Sequence, residues 1–159
     1  MKNKFTHIAA SGNPQMVDVS VKKVTQRVAK AQAVVFLGEE IMSQLQGDEL
    51  ITKKGPVFQT AIIAGVMGAK KTSELIPFCH PLGLEDVQII ITPDKETVII
   101  NATTRVTGKT GVEMEALTAV SVAALTVYDM CKALSHSIVI GEIKLVEKRG
   151  GKSDYIIPT

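Results

Sequence analysis

Val87-Gln88-Ile89-Ile90-Ile91, Pro93-Asp94-Lys95-Glu96 and Thr97 to Val106 read as strand, turn and strand. Both arms are rich in β-branched residues, and turn-forming residues separate them, so the segment predicts a hairpin. Working outward, Pro77 and Pro81 bracket Phe78-Cys79-His80 on the upstream side. Proline on both sides stops a helix and predicts a rigid loop. Before it, Pro56 suits the first turn of a helix running to about Lys71, with Phe58, Ile62, Ile63, Val66 and Met67 on a wide apolar face. Gly65 and Gly68 lie inside that helix. Glycine is a poor helix former, and close packing against a neighbouring element would account for both. Residues 47–55 read as a loop carrying the basic pair Lys53 and Lys54. Glu39 to Gln46 reads as a short helix with Gly47 at its C-cap. Val24 to Phe36, rich in Val, Thr and Ala, predicts a strand. Residues 1–22 form a polar arm.

Downstream of the hairpin, Thr110-Gly111-Val112-Glu113 has capping-box spacing and opens the longest helix, about Val112 to Leu134. Ile138 to Glu147 is a last strand, and Arg149 to Thr159 is a tail. The order is strand, helix, strand, strand, helix, strand, the ferredoxin-like pattern of two split βαβ halves. It predicts one α+β domain spanning residues 1–159, with an antiparallel sheet and helices on one face. The other face would be bare and apolar, inviting a second subunit, so the chain is expected to be homo-oligomeric.

Composition sets the outer bounds. The 159 residues suffice for one domain with a real core. Aromatics are 4% and Trp is absent, so the core must be aliphatic. A net charge of +2 is too small to imply nucleic-acid binding. Cys79 and Cys131 make no disulfide framework and show no zinc-finger spacing with histidine, so reduced thiols in a cytoplasmic protein are expected. Met1 to Ala10 is polar and does not read as a signal peptide. The mostly apolar run Ala116 to Val127 is broken by Thr118, Ser121 and Thr126 and is short for a membrane span.

Several residues invite chemistry, and each has a plainer structural account. Glu113 and Glu115 stand in the first turn of the long helix, where acidic side chains favour the positive helix end. Asp129 and Lys132 are three apart and share a helix face, as a surface ion pair would. Behind the apolar stretch Val122 to Tyr128, a partly buried pair would instead have pKa values shifted toward acid–base use. His80 suits a proton-transfer or hydrogen-bonding role as well as a structural one. Cys79 beside it is a weak nucleophile candidate, because adjacent residues of extended chain point apart. Gly108-Lys109-Thr110 resembles the end of a phosphate loop, but Thr103 stands where that motif needs glycine. A simpler anion site at the helix N-terminus stays open, as does one at Gly150-Gly151-Lys152-Ser153, which equally suits a flexible tail. Arg27, Lys30, Lys53, Lys54, Lys70 and Lys71 add positive charge that matters only if it converges. From the residues alone the chain is an enzyme or a small-anion binder. A nucleotide-sensing module, a ligand-free structural oligomer and a thiol enzyme are the rivals.

Five blocks then stand out in order: Met16-Val17-Asp18-Val19-Ser20, Ile76-Pro77-Phe78-Cys79-His80-Pro81-Leu82, Thr107 to Leu117 (TGKTGVEMEAL), Tyr128-Asp129-Met130-Cys131-Lys132-Ala133 and Gly150-Gly151-Lys152-Ser153. Together they resemble the MoaC family, the cyclic pyranopterin monophosphate synthases of molybdenum cofactor biosynthesis. The resemblance implies a ferredoxin-like fold and a hexamer built as three tight dimers, with a pocket near the dimer interface. It implies a small-molecule substrate, 3′,8-cyclo-7,8-dihydroguanosine 5′-triphosphate, supplied by a radical SAM partner enzyme, MoaA, and no metal or other cofactor, nucleic acid or membrane. Residue by residue, Asp129, Lys132 and Lys54 match catalytic positions. Phe78, Cys79 and His80 match the pterin-side segment, and Met114 and Glu115, with Glu113 beside them, a second substrate-contacting segment. Lys152 fits the tail lysine, and Arg27 joins the expected substrate-binding residues. Three departures stand out: Ile62 where an arginine is expected, Pro56 where an acidic residue is usual after Lys54-Gly55, and Asp154 where glycine commonly follows the serine.

Overall fold

The computed structural model describes residues 12–158, so the reading of Met1 to Ala10 lies outside the described residues. The hairpin predicted at the centre of the chain forms from β5 (Asp86–Asp94) and β6 (Thr97–Gly108), and pairing begins at Asp94↔Thr97. The turn is thus only Lys95-Glu96, with Lys95 in the left-handed region at φ 53. Tight primed turns match the strand twist this way, which let Pro93 and Asp94 join the strand. β6 pairs along its whole length with β1 (Thr25–Phe36), from Thr25↔Gly108 to Phe36↔Thr97. β7 (Val139–Arg149) lies on the other side of β1, and β8 (Tyr155–Ile156) pairs on β7. The sheet order is β5-β6-β1-β7-β8, with every neighbour antiparallel.

One face of this sheet carries two helices. α4 (Glu113–Cys131) lies across β1, β6 and β7, and α2 (Val57–Lys70) packs on α4 and β5. Ala29, Ala31 and Ala33 of β1 are fully buried, and Ala116, Ala119, Ala123 and Ala124 of α4 are buried with them. Small side chains on both layers let backbone approach backbone, so the alanines that weakened β1 as a sequence signal are what the packing requires. The same holds between the helices. A Cβ on Gly65 would lie 2.5 Å from Ile89 Cδ1 and 2.9 Å from the Ala119 carbonyl, and one on Gly68 would lie 2.7 Å from Val122 Cγ2. α2 therefore turns its small face inward, burying Ala61, Gly65, Gly68 and Ala69. Ile63 and Met67 stay 62% and 54% exposed, contrary to the wide apolar face expected for them. α4 is long and apolar enough to span a membrane by length and composition, but half of it is buried within the fold, as in a core helix.

Several local expectations are corrected. The helix placed at 39–46 stops at α1 (Glu39–Met42). Leu45–Gln46 forms β2, which pairs with β3 (Glu49–Thr52), and β3 pairs with β4 (Gly55–Pro56). Gly47, at φ 62, is therefore a hairpin residue and not a C-cap. Gly47-Asp48 is a two-residue turn signal, and the apolar Leu50-Ile51 after it belongs in a strand. The loop 47–55 is thus a small three-stranded ribbon with Lys53-Lys54 at its second turn. The capping box does not form. Val112 is the N-cap of α4 with no side-chain cap, and Glu113 turns toward Lys148, Oε1 to Nζ 3.4 Å. The tail is no free end, because β8 extends the sheet. Finally, the second sheet face is not uniformly apolar: Val34 and Phe36 share it with Gln32, whose Nε2 donates to Asn101 Oδ1 at 3.1 Å, and with Lys30, paired to Glu147 at 2.8 Å.

Candidate functional site

The expected site residues fall into two groups at opposite ends of α4. Sixteen residues separate Glu113 from Asp129, about 24 Å at 1.5 Å per residue.

At the C-terminal end, Asp129 stands in the last turn of α4 and Lys132 follows the helix. Lys54 is delivered by the β3–β4 turn. Its Nζ lies 2.6 Å from Asp129 Oδ2 and donates also to the Asp129 carbonyl at 3.1 Å. Lys132 Nζ takes the other oxygen, Oδ1, at 2.8 Å. A carboxylate at a helix C-terminus opposes the helix dipole, and two ammonium groups there offset it. The hydrogen bond from Lys132, then that from Lys54, holds the Asp129 carboxyl down at about 2. The bond to Asp129 in turn raises Lys132. Lys132 is thereby kept protonated at neutral pH; the shift runs away from neutrality, not toward it. The cluster opens on a cavity of about 550 Å³ walled by Ile51, Met130 and Leu134.

At the N-terminal end, the proline-fixed segment sets Phe78, Cys79 and His80 against Glu113, Met114 and Glu115 around a cavity of about 530 Å³. Glu115 is only 4% exposed. Burial, reinforced by the charge of Glu113, pushes its carboxyl up to about 7. His80 Nε2 lies 2.8 Å from the Val17 carbonyl. A carbonyl only accepts, so that nitrogen carries the hydrogen, and His80 fastens the N-terminal segment to the site. Burial raises the Cys79 thiol, and the charge of Glu115 adds to it. Burial pushes Cys131 up to about 11. Neither is a ready thiolate, which weighs against a thiol enzyme.

Adjoining this cavity is a second of about 490 Å³, and Lys22, Gly111, Glu113 and Lys148 line both. It is strongly basic. Lys22, Lys23, Arg27, Lys148, Arg149 and Lys152 converge on it. Arg27 is fixed by donating to the Gly108 and Lys109 carbonyls at 3.2 and 3.3 Å. The tail closes over it at Gly150, whose φ of 83 and 1.9 Å approach of a built Cβ to the Gln26 carbonyl both demand glycine. Gly150 N donates to Asp154 Oδ1 at 3.0 Å, so the aspartate that departs from the family pattern closes this turn. Ile62, another departure, is half-buried against the core and lines none of the three cavities.

Two features escaped the sequence. Lys22, Lys23, Lys148 and Arg149 meet because β1 pairs with β7 in the register Val28↔Arg149. The paired basic dipeptides were the available signal. His80 lies apart from Asp129 and Lys132 within one chain, at the other end of α4. Among the described residues no group of three or more His, Cys, Asp or Glu side chains is arranged to hold a metal ion.

The α+β scaffold thus carries a basic cavity with a buried carboxyl in the cavity adjoining it at one end of α4, and a Lys–Asp–Lys cluster at the other. Residues 16–151 match the MoaC family, and the chain belongs to it. That family works in molybdenum cofactor biosynthesis.

Proposed function

We propose that the chain is a cyclic pyranopterin monophosphate synthase, a lyase. It would convert 3′,8-cyclo-7,8-dihydroguanosine 5′-triphosphate to cyclic pyranopterin monophosphate and release pyrophosphate. The observation that carries this is the adjoining of a basic cavity and a carboxyl-lined one beside the family's matched residues. The triphosphate belongs in the basic cavity, where Arg27, Lys22, Lys148 and Lys152 neutralise the charge that grows on departing pyrophosphate. The purine-derived ring belongs beside Phe78, His80 and Glu115. Glu115, titrating near neutrality, suits proton exchange with a ring that opens and recloses.

Lys132, held protonated by Asp129, is the proton donor, and Lys54 is the second acid–base group. Because about 24 Å separates this cluster from the cavities in one chain, the complete site pairs the two ends from different copies. That geometry supports a site near a dimer interface, and with it the reading of a homohexamer built as a trimer of dimers. The strand order β5-β6-β1-β7, all antiparallel, supports the ferredoxin-like assignment of the core. The substrate would come from the radical SAM enzyme MoaA in a shared cytoplasmic pathway, and the reaction as written uses no metal or cofactor. A nucleotide-sensing module needs no Lys–Asp–Lys cluster, which is why the enzyme reading is preferred.

The test is an assay on purified protein with enzymatically generated 3′,8-cyclo-7,8-dihydroguanosine triphosphate, following pyrophosphate and pterin product together. Both should appear in the wild type. Tight binding with neither product would hand the case to the sensing module.

A further inference from the structure

α2 begins with an awkward N-cap. Pro56 occupies it, in extended conformation, and makes no side-chain cap. The N–H groups of the second and third helical residues, normally taken by an N-cap side chain, would be left without a partner. Glu49 takes them from outside the helix. Its Oε1 accepts from Phe58 N at 2.8 Å and its Oε2 from Gln59 N at 3.1 Å. Oε1 also accepts from Leu50 N at 2.8 Å. A carboxylate here also sits favourably on the positive end of the helix.

Glu49 lies at the start of β3, and α2 follows β4 directly. One carboxylate therefore fastens the strand entering the β3–β4 ribbon to the helix leaving it. The ribbon itself has two paired positions, Ile51↔Pro56 and Thr52↔Gly55. Even with β2 paired on β3 at Leu45↔Leu50 and Gln46↔Glu49, a ribbon of strands this short is marginal alone. Its turn is Lys53-Lys54, and Lys54 reaches Asp129 Oδ2 from it. Within the turn, Thr52 Oγ1 accepts from Lys54 N at 3.2 Å and donates to the Gly55 carbonyl at 3.3 Å. These bonds shape the turn, but they do not anchor it to the body of the protein.

We infer that Glu49 is a positioning residue for Lys54: by standing in for the N-cap that Pro56 lacks, it locks the β3–β4 ribbon to α2 and aims the Lys54 ammonium at Asp129. The inference rests on the proposed role of Lys54 for its catalytic consequence, but not for the clamp.

Glu49→Ala, Glu49→Gln and the double variant Glu49→Ala/Pro56→Asp test it, the last restoring an acceptor at the N-cap itself. In Glu49→Ala, amide exchange at Phe58, Gln59 and residues 50–55 should quicken by about tenfold or more while β1 and β6 stay protected. Turnover number should fall roughly ten- to a hundredfold, as for a misplaced catalytic group, with KM within about twofold because the basic cavity is untouched. Glu49→Gln should lie between, and Pro56→Asp should recover most of the loss. Unchanged exchange, an unchanged turnover number, or KM rising in step with the loss would each overturn the inference. If the wild type releases no pyrophosphate at all, the proposed function falls, and the clamp is judged on Lys54 alone. Its acylation by an amine-directed reagent, slow while it is held on Asp129, should be about fivefold faster in Glu49→Ala. An equal rate would sink the clamp too.

Discussion

Lys54 and Asp129 stand 75 residues apart in the chain and 2.6 Å apart in space. Lys132, only three residues beyond Asp129, takes the carboxylate's second oxygen. A hairpin turn and a helix end are thus bridged by one aspartate with an ammonium on each oxygen.

Because all three side chains are about half exposed, the cluster is a poor candidate for a stabilising device. Lys132→Ala and Asp129→Ala should each lower turnover by about 10²- to 10⁴-fold, the usual range for a lost acid–base group. Melting temperature should hardly move, and Asp129→Asn should not lower it, since it removes a charge that opposes the helix dipole. Paired assays and thermal melts decide this; a large drop in melting temperature would make the cluster structural.

If complete sites form between copies, two different inactive chains should rescue each other. Lys132→Ala and Glu115→Ala, unfolded and refolded together, should regain about a quarter of wild-type activity, since half the dimers are mixed and each mixed dimer has one intact site. No regain on mixing, with hybrid assemblies demonstrated by mass spectrometry, would place the whole reaction within single chains.

The raised Glu115 carboxyl gives a signed pH effect. Its folded pKa of about 7 exceeds the ordinary 4.5, so the folded state holds the proton more tightly. Stability from this group is full below pH 4.5, declines as pH rises toward 7, and then levels off. Allowing for solvent at the cavity mouth, the decline should be on the order of 1–2 kcal/mol. Urea titrations between pH 4 and 8 should show it in the wild type and a flatter profile in Glu115→Gln.

In the basic cavity, Lys148→Ala should raise KM for the triphosphate substrate about tenfold, the worth of one charge-assisted contact, with a smaller effect on turnover number. Pyrophosphate affinity, measured by calorimetry, should weaken in parallel and fall with added salt.

Gly65→Ala tests the helix contact. With the Ala119 carbonyl 2.9 Å from the added carbon, the helices must move apart, at a cost of about 1–3 kcal/mol. A neutral result in chemical denaturation would show that α2 slides freely.

Much of this architecture was legible because long β-branched runs and a 19-residue helix announce themselves. The hairpin Asp86–Gly108, β1, β7 and both long helices fall within a few residues of their expected ends. The small ribbon 45–56 was not legible. Its strands are two to four residues long, and Glu39-Glu40-Ile41-Met42 favours helix so strongly that the signal ran on past its end. Nor was the inward face of α2 legible, because periodicity weighs large apolar residues, while contact with α4 selected Gly65 and Gly68. Lys54 and Asp129 were each singled out, but only tertiary structure brings them together. Glu49 passed unremarked, because an acidic residue in a strand gives no local sign that it caps a helix nine residues on.

α4 is also a ruler. On the proposed function its two ends carry chemistry presented at a fixed spacing and a fixed rotation, and each residue of an α-helix adds about 1.5 Å and 100°. One residue inserted or deleted between Glu115 and Asp129 would swing the Lys–Asp–Lys cluster a quarter-turn away from where the N-terminal end expects its counterpart. Length polymorphism should therefore be confined to the turns, at Gly47-Asp48 and Lys95-Glu96 and beyond Ile156. The interval 115–129 should keep one residue count in every working copy of this chain, whatever its side chains become.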